Sequence, residues 1–289
     1  MCQPASSRQT TATVLFNKQL TPNQYLLRLH APDVAKESEP GHFIHLNCHP
    51  SLTLPRPFSI MDADVEMGTL DIFYQVVGEG TEYMQSWQAG LETPLLGPIG
   101  RSFRVPDADR FALLIAGGIG YAPLDFFARL LKKTGVEITV LLGIEREAPF
   151  ELISATPLPH ELIENPITLA RLQEQDIVSR VASLQPKPGF FHGYVTELAS
   201  GILQNISAEQ RLKTDLYCCG PTPMMKAAAA VAKEFNLGGQ VSLEEHMACG
   251  FGGCAGCVAP IKSAEGWGYQ RVCTDGPVFA INDVVWEKI

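Results

Sequence analysis

From Thr11 to about Arg104, short β-prone runs alternate with turn residues. The runs are Thr11–Phe16, Gln24–His30, His42–Asn47, Phe58–Asp62, Leu70–Val77 and Thr93–Leu96. Ala31-Pro32-Asp33, Pro40-Gly41, Pro55, Gly68, Gly78 to Gly80 and Gly97-Pro98 punctuate them. Short strands at this spacing predict a small antiparallel barrel, with one short helix within Glu79 to Ala89. The residues before Thr11 read as a loose tail. At Phe111 the pattern changes. Phe111-Ala-Leu-Leu-Ile-Ala116 is continuously apolar, as expected of a strand buried on both faces, and runs through Gly117-Gly118-Ile119-Gly120 into a helical stretch, Pro123 to Lys133. Glu137–Gly143 is a second strand of this kind. Asp215–Cys219, leading into a helix over Pro223–Phe235, is a third strand–helix unit. Such βαβ alternation predicts a parallel sheet. Residues 145 to 190 are poorly periodic, with helix-like pieces at Leu158–Glu164 and Gln173–Leu184. From Gly238 onward a glycine- and cysteine-rich segment ends in Val278–Ile281 and Val284–Ile289.

Composition narrows the class. The chain has 289 residues, 46% hydrophobic and 18% charged, which suits two domains with a buried core and excludes disorder. A formal net charge of −9 argues against nucleic acid, whose phosphates ask for a basic face. The best candidate for a membrane span, Phe111 to Phe127, is broken by Gly117, Gly118, Gly120, Pro123 and Asp125 and falls short of about 18 apolar residues. The polar N-terminus carries no signal-like apolar stretch, so a cytoplasmic location is expected. In that reducing compartment the eight cysteines are not expected to build a disulfide framework.

Half of those cysteines cluster. Cys249-Gly-Phe-Gly-Gly-Cys254-Ala-Gly-Cys257, followed by Cys273, is C-x4-C-x2-C with a distant fourth cysteine, the plant-type spacing of a [2Fe–2S] centre. Thiolates converging on a small anionic cluster need a tightly wrapped loop that aims backbone N–H groups at sulfur. Gly250, Gly252, Gly253, Ala255 and Gly256 lack the bulk to prevent it. Structural zinc also takes four cysteines, usually on two C-x2-C knuckles, and stays open as the alternative.

Two strand-to-helix turns suit a nucleotide. Ala116-Gly-Gly-Ile-Gly120-Tyr-Ala-Pro123 would let backbone approach a pyrophosphate at a helix N-terminus, although an ordinary βα turn with permissive glycines looks the same. Cys219-Gly220-Pro221-Thr222-Pro223 is the second, with Thr222 as N-cap and Pro223 first in the helix. Both would lie at the carboxyl ends of parallel strands, where ligands bind. In the barrel half, Arg56-Pro57-Phe58-Ser59 and Tyr74-Gln75-Val76-Val77-Gly78-Glu79-Gly80-Thr81 offer a guanidinium, hydroxyls and glycine N–H groups to a phosphate.

Arg-Pro-Phe-Ser, Gly-Glu-Gly-Thr, Leu96-Gly-Pro-Ile-Gly100, the Gly-Gly-Ile-Gly turn and Cys-Gly-Pro-x-Pro-Met occur here in the order found in the ferredoxin–NADP reductase superfamily. With Ala248 to Cys257 and Val272-Cys-Thr-Asp-Gly-Pro-Val-Phe279 added, residues 11 to 289 resemble the electron-transfer subunits of NAD-dependent dihydroorotate dehydrogenases. The resemblance implies an α/β plus β protein. An antiparallel FAD-binding β-barrel would span 11–106, a parallel α/β NAD-binding domain 107–238, and a small [2Fe–2S] segment 239–289. It places Arg56 on the FAD phosphate, with Pro57, Phe58 and Ser59 leading to the isoalloxazine ring. Tyr74, Gln75 and Val76 would flank its adenosine or ribityl part, and Gly80 and Thr81 its pyrophosphate. Gly117, Gly118 and Gly120 with Cys219, Gly220 and Pro221 would hold NAD, Cys219 near the nicotinamide. Cys249, Cys254, Cys257 and Cys273 would bind the cluster. The implied activity is that of an oxidoreductase subunit, passing electrons between an FMN-containing dehydrogenase partner and NAD. A sulfite reductase or sulfhydrogenase partner is the alternative, and a zinc-bearing, non-catalytic binding module is the alternative of another class. Where the family usually carries an Asp-Gly-Ser sequence, this chain has Gln185-Pro-Lys-Pro-Gly-Phe-Phe-His192.

No nucleophile or acid–base pair stands out. His42, His45, Cys48 and His49 would divide between two faces of a strand, which disfavours a metal site. Glu244-Glu245-His246 reads as a solvated approach to the cysteine loop. Cys2 and Cys218 need no chemistry.

Overall fold

Turn chemistry closes the first β-prone runs into a ring of six strands. In the computed structural model, which describes residues 7–159 and 161–289, β1 (Arg8–Thr21), β2 (Gln24–His30), β3 (Phe43–Leu46), β4 (Arg56–Asp64), β5 (Thr69–Gln75) and β6 (Glu92–Ile99) form a closed barrel. The strand order is β1-β2-β5-β4-β3-β6, antiparallel throughout. Leu27, Leu29, Ile44, Leu46, Ile60 and Ile72 are fully buried, each worth about 1.5–3 kcal/mol relative to exposure. Two short helices interrupt the ring, α1 (Pro32–Ala35) and α2 (Glu79–Met84). The first strand starts earlier than its side chains suggest. Arg8, Gln9 and Thr10 pair with Gly97, Leu96 and Leu95, so backbone ladder bonds order a stretch with no apolar pattern. Cys2 lies outside the described residues.

The second half is a seven-stranded sheet. β7 (Phe111–Gly117), α3 (Tyr121–Thr134) and β8 (Glu137–Ile144) make the first βαβ unit. After the small pair β9 (Leu152–Ser154) and β10 (Ile167–Leu169) come α4 (Ala170–Gln173), β11 (Val178–Ser183), β12 (Phe191–His192), α5 (Val195–Asn205) and α6 (Ala208–Leu212). β13 (Thr214–Cys219), α7 (Thr222–Glu234) and β14 (Gly238–Ser242) follow, then a hairpin of β15 (Val258–Ser263) and β16 (Gly266–Arg271), and finally β17 (Val278–Ala280). The sheet order is β12-β11-β8-β7-β13-β14-β17, with β12, β11, β8, β7 and β13 parallel. Contacts divide the chain into two compact units. One holds the barrel with 242–279 and 283–289, the other 104–241 with 280–282.

Three readings of local structure change. The second half of Gln173–Leu184 is the inner strand β11, and Leu158–Glu164 forms no helix among its described residues. The helix-like spacing of β11 misleads because its polar residues are buried and satisfied. Ser179 Oγ lies 2.7 Å from Thr168 Oγ1, and the Arg180 guanidinium donates to Glu161 Oε2 at 2.6 and 2.9 Å. Those partners come from the segment folded over the strand, which local periodicity cannot reveal. Thr222 is the first helical residue rather than the cap, because Pro221, extended at φ −55° and ψ 139°, precedes the helix.

Asp125 anchors α3. Its fully buried carboxylate accepts from Tyr121 Oη at 2.5 Å, Arg129 Nε at 3.1 Å and an Arg171 guanidinium nitrogen at 2.8 Å. Arg171 reaches it from α4, so the chain beyond β8 is tied to the helix that follows the first glycine turn. Replacing Asp125 with Ala removes the carboxylate shared by two guanidiniums and a hydroxyl, a loss of about 3–5 kcal/mol. Chemical denaturation should show the drop, and a midpoint unchanged from wild type would contradict it.

Candidate functional site

Four cysteines are gathered by a loop and a turn of the barrel's unit. Leu96 to Arg101 supplies the fastening. Arg101 N donates to Gly276 O at 2.7 Å, its Nε donates to Thr274 O at 3.2 Å, and Gly100, at φ +96°, leaves no room for a side chain against Pro277. The 273–277 turn is thereby held on the barrel. Opposite it the cysteine loop wraps through left-handed Gly250 (φ +74°), Gly252 (φ +83°) and Ala255 (φ 51°). A β-carbon on Gly252 would come within 3.0 Å of Thr274 Cγ2, so loop and turn meet there in close contact.

The thiols form two pairs. Cys249 interacts with Cys254, and Cys273 with Cys257. Among the described residues no three His, Cys, Asp or Glu side chains converge on a single metal ion. A two-iron cluster asks for two pairs, one per iron, so the arrangement suits it better than one zinc. Backbone amides point at sulfur, with Cys254 N donating to Cys249 Sγ and Gly256 N to Cys254 Sγ, each at 3.4 Å. Burial raises the Cys249 pKa, but N–H groups of Cys254, Phe251 and Gly253 and the Cys254 thiol outweigh it and hold the value down at about 7. Cys273 is pushed up to about 12, first by burial and then by the Cys257 thiol. The pairs differ in access: Cys257 and Cys273 are 2% and 1% exposed, whereas Cys249 is half-buried and Cys254 exposed.

On the barrel, Arg56, Cys48 and α2 come together. Gly80 sits against Cys48, where a β-carbon would lie 3.2 Å from Cys48 Cβ. Burial raises the Cys48 thiol to about 11, while the nearby Arg56 charge pulls the other way. The hydrogen bonds of the Arg56 guanidinium among the described residues go to the carbonyls of Leu54 and Pro55 at 2.9 and 3.5 Å, leaving its charge unneutralised by a carboxylate. Thr81 Oγ1 accepts from Val77 N at 2.9 Å and Gly78 N at 3.2 Å and donates to Gly78 O, which fixes the entry to α2. Ser59 pairs with Phe43 across β4 and β3 and is half-buried. Phe58 is buried edge-on against Tyr74, whose ring also stacks on Tyr25 at 5.4 Å. Tyr74 therefore belongs to the core, and its pKa is raised by burial. Leu54, at 47% exposure beside Arg56, is an apolar side chain that the motifs did not single out, and Val77 of the second motif is 78% exposed.

In the other unit, both glycine turns stand on adjacent parallel strands, Cys219 pairing with Ala116. Gly118–Gly120 is a single tight turn leading into α3. Gly120 packs its Cα against the Cys219 carbonyl, and a β-carbon on Gly220 would lie 3.0 Å from Gly117 Cα. Gly118, at φ +53°, faces open space. Two helix N-termini thus end side by side, a donor array for an anionic nucleotide. Cys219 is 8% exposed at this edge and Cys218 fully buried. Phe191–His192 forms β12, and Lys187 Nζ donates to Arg146 O, so this loop borders the same sheet end. His42, His45 and His49 go separate ways. His42 Nδ1 accepts from Glu39 N, and His49 Nδ1 lies 2.6 Å from Ser51 Oγ. No helix is long and apolar enough to cross a membrane among the described residues.

Comparison with known proteins fits this geometry. The family described as the iron–sulfur cluster binding domain of dihydroorotate dehydrogenase B matches residues 244–285. A solved structure titled for an NADH-dependent reduced ferredoxin-NADP oxidoreductase matches with TM-score 0.76 at 25% identity, over 96% of this chain and 90% of that one. A ferredoxin NADP+ reductase from Neisseria gonorrhoeae with bound FAD and NADP shares the fold at TM-score 0.59 and 18% identity, over 78% of this chain and 91% of that one. The Shouchella clausii protein "dihydroorotate dehydrogenase B (NAD(+)), electron transfer subunit" is 32% identical over 96% of this chain and 98% of its own length. Its namesake in Desulforamulus reducens is 33% identical over 97% and 100%. With near-complete coverage of both relatives, and with the cysteine segment matched as a domain, the chain belongs to the family of electron transfer subunits of dihydroorotate dehydrogenase B.

Proposed function

We propose that this chain is the electron-transfer flavoprotein of a cytoplasmic dihydroorotate-oxidising complex, working between a catalytic partner subunit and NAD. The observation that carries this reading is the two-pair cysteine arrangement, one pair buried and one reaching the surface. When bound, FAD supplies hydride exchange with nicotinamide and single-electron exchange with a [2Fe–2S] cluster. The chain's own residues position these groups. Cys249, Cys254, Cys257 and Cys273 bind the cluster, with the exposed Cys254 end toward the partner. Arg56 holds the flavin phosphate through an unneutralised guanidinium, with Gly80 and Thr81 at the pyrophosphate. Pro57, Phe58, Ser59 and the backbone of Tyr74, Gln75 and Val76 line the rest of FAD. Gly117, Gly118, Gly120, Cys219, Gly220 and Pro221 receive NAD. None of these roles needs a nucleophile or a general acid.

An absorption spectrum with iron, zinc and flavin analysis of the purified complex tests the reading. Flavin and two irons per chain are expected, and zinc without iron or flavin would overturn it. For the FAD site, Arg56→Ala should weaken flavin retention roughly tenfold to a hundredfold, the worth of one charge-assisted hydrogen bond of about 1.5–3 kcal/mol. Fluorescence of FAD released on dilution measures it. Retention equal to wild type would remove Arg56 from the site.

A further inference from the structure

His45 is a buried polar side chain outside the cofactor sites described above. It stands on β3, 1% exposed, and both ring nitrogens lack a hydrogen-bond partner. Burial without compensation costs a polar group on the order of 1–3 kcal/mol, so two unspent nitrogens on one ring call for an explanation. In either protonation state an imidazole has at least one N–H to donate.

Its neighbours lie on two sides. Across the barrel it pairs with Pro57 on β4, and directly opposed residues of an antiparallel pair share a face, so His45 flanks the Arg56–Ser59 strand. On the other side is the cysteine loop. A β-carbon on Gly250 would stand 2.9 Å from His45 Cε1 and 3.0 Å from Nδ1, so the residue after Cys249 is a glycine laid directly on the ring. Beside that contact a cavity of about 330 Å³ is lined by His45, Asn47, Thr53 and Phe251 among others. Asn47 Oδ1 is likewise buried and unpartnered. Two unsatisfied polar groups thus border one cavity next to the first cysteine of the loop.

We propose that His45 is a positioning residue for the cluster, donating its N–H to a sulfur at the Cys249 end. The inference rests on the assignment of Cys249 as a ligand. Four thiolates and two sulfides make the cluster anionic, and no acceptor within the described residues takes the His45 proton. A donor to sulfur favours the more negative, reduced state, so removing it lowers the midpoint potential. Such a bond accounts for three things together: a histidine in an apolar strand, one of its two unpaired nitrogens, and a glycine at 250.

The test compares His45→Leu, which fills the space without a donor, with His45→Gln, which keeps an N–H, in the complex purified with its partner. Electron paramagnetic resonance of the dithionite-reduced protein first shows whether a [2Fe–2S] signal is present. If wild type gives no such signal, the cluster assignment fails and this inference with it. With the signal present, a redox titration of His45→Leu should shift the reduced-to-oxidised ratio at a fixed potential about tenfold toward oxidised. For one electron that is a midpoint about 59 mV lower. His45→Gln should recover most of the shift. A His45→Leu cluster with unchanged midpoint and signal would reduce His45 to a space-filler. Should His45→Leu lose the cluster, pulsed resonance on otherwise native protein decides. In a His246→Gln background labelled with 15N-histidine, a nitrogen coupling to the reduced cluster is expected, and its absence overturns the proposal.

Discussion

Changing Cys257 to Ser should strip the chain of its iron–sulfur absorbance while leaving the flavin spectrum in place. Cys257 is 2% exposed, and its thiol interacts with that of Cys273. The Cys257 carbonyl accepts from Val272 N at 2.7 Å, one residue before Cys273, so the two inner cysteines are tied through backbone as well. Losing a mere outer-shell partner of a metal typically costs 10–100-fold in affinity, and losing a ligand costs more. Electron transfer to the partner should fall by at least that factor. Cys218→Ser is the matched control, because Cys218 is fully buried in β13 of the other unit. It should cost some stability and leave the cluster intact. Iron stoichiometry and visible absorbance of both variants decide the matter. A Cys257→Ser protein with two irons and an unchanged spectrum would withdraw Cys257 as a ligand.

The same variant pair shows what the sequence could and could not display. C-x4-C-x2-C is local, so its geometry is written in the spacing, and the glycines between announce the left-handed turns at 250 and 252. The continuous apolar run at Phe111 announced an inner parallel strand for a similar reason: burial on both faces leaves no polar position. Features held by distant partners were illegible. β11 carries Ser179 and Arg180 inside the sheet because Thr168 and Glu161 satisfy them, and no period of 2 or 3.6 records that. Arg101 is another case. Its bonds to Thr274 and Gly276 run across more than half the chain, so Leu96-Gly-Pro-Ile-Gly100 could be seen as a motif but not as the clamp on the Cys273 turn. His45 was visible as one histidine among several near it. The packing of Gly250 on its ring and its two unpaired nitrogens set it apart from His42 and His49, each of which has a local partner at Nδ1.

Substitution at the first glycine turn should sever the chain from NAD without touching either redox spectrum. Gly120→Ala drives a methyl into the Cys219 carbonyl, and backbone there cannot swing aside as a side-chain tip would, so α3 and β13 must separate. Reduction of bound flavin by NADH should then be lost. Because that change also strains the sheet, Gly118→Ala is the sharper probe. Gly118 has φ +53° and open space around its missing β-carbon, so alanine meets no atom and pays only the left-handed penalty of about 1–2 kcal/mol. Its methyl would stand on the open side of the turn, where the proposed site would receive the nucleotide phosphates. Gly135→Ala, at the far end of α3 with φ +82° and the same open surroundings, pays the same strain away from the turn. Gly118→Ala should raise the KM for NADH roughly tenfold to a hundredfold, the loss expected when one or two backbone bonds to a charged ligand are pushed apart. Gly135→Ala should leave it unchanged, with equal losses of stability in both. Steady-state kinetics beside thermal denaturation separate the two effects. Equal KM values in the paired variants would mean that the nucleotide does not bind at this turn.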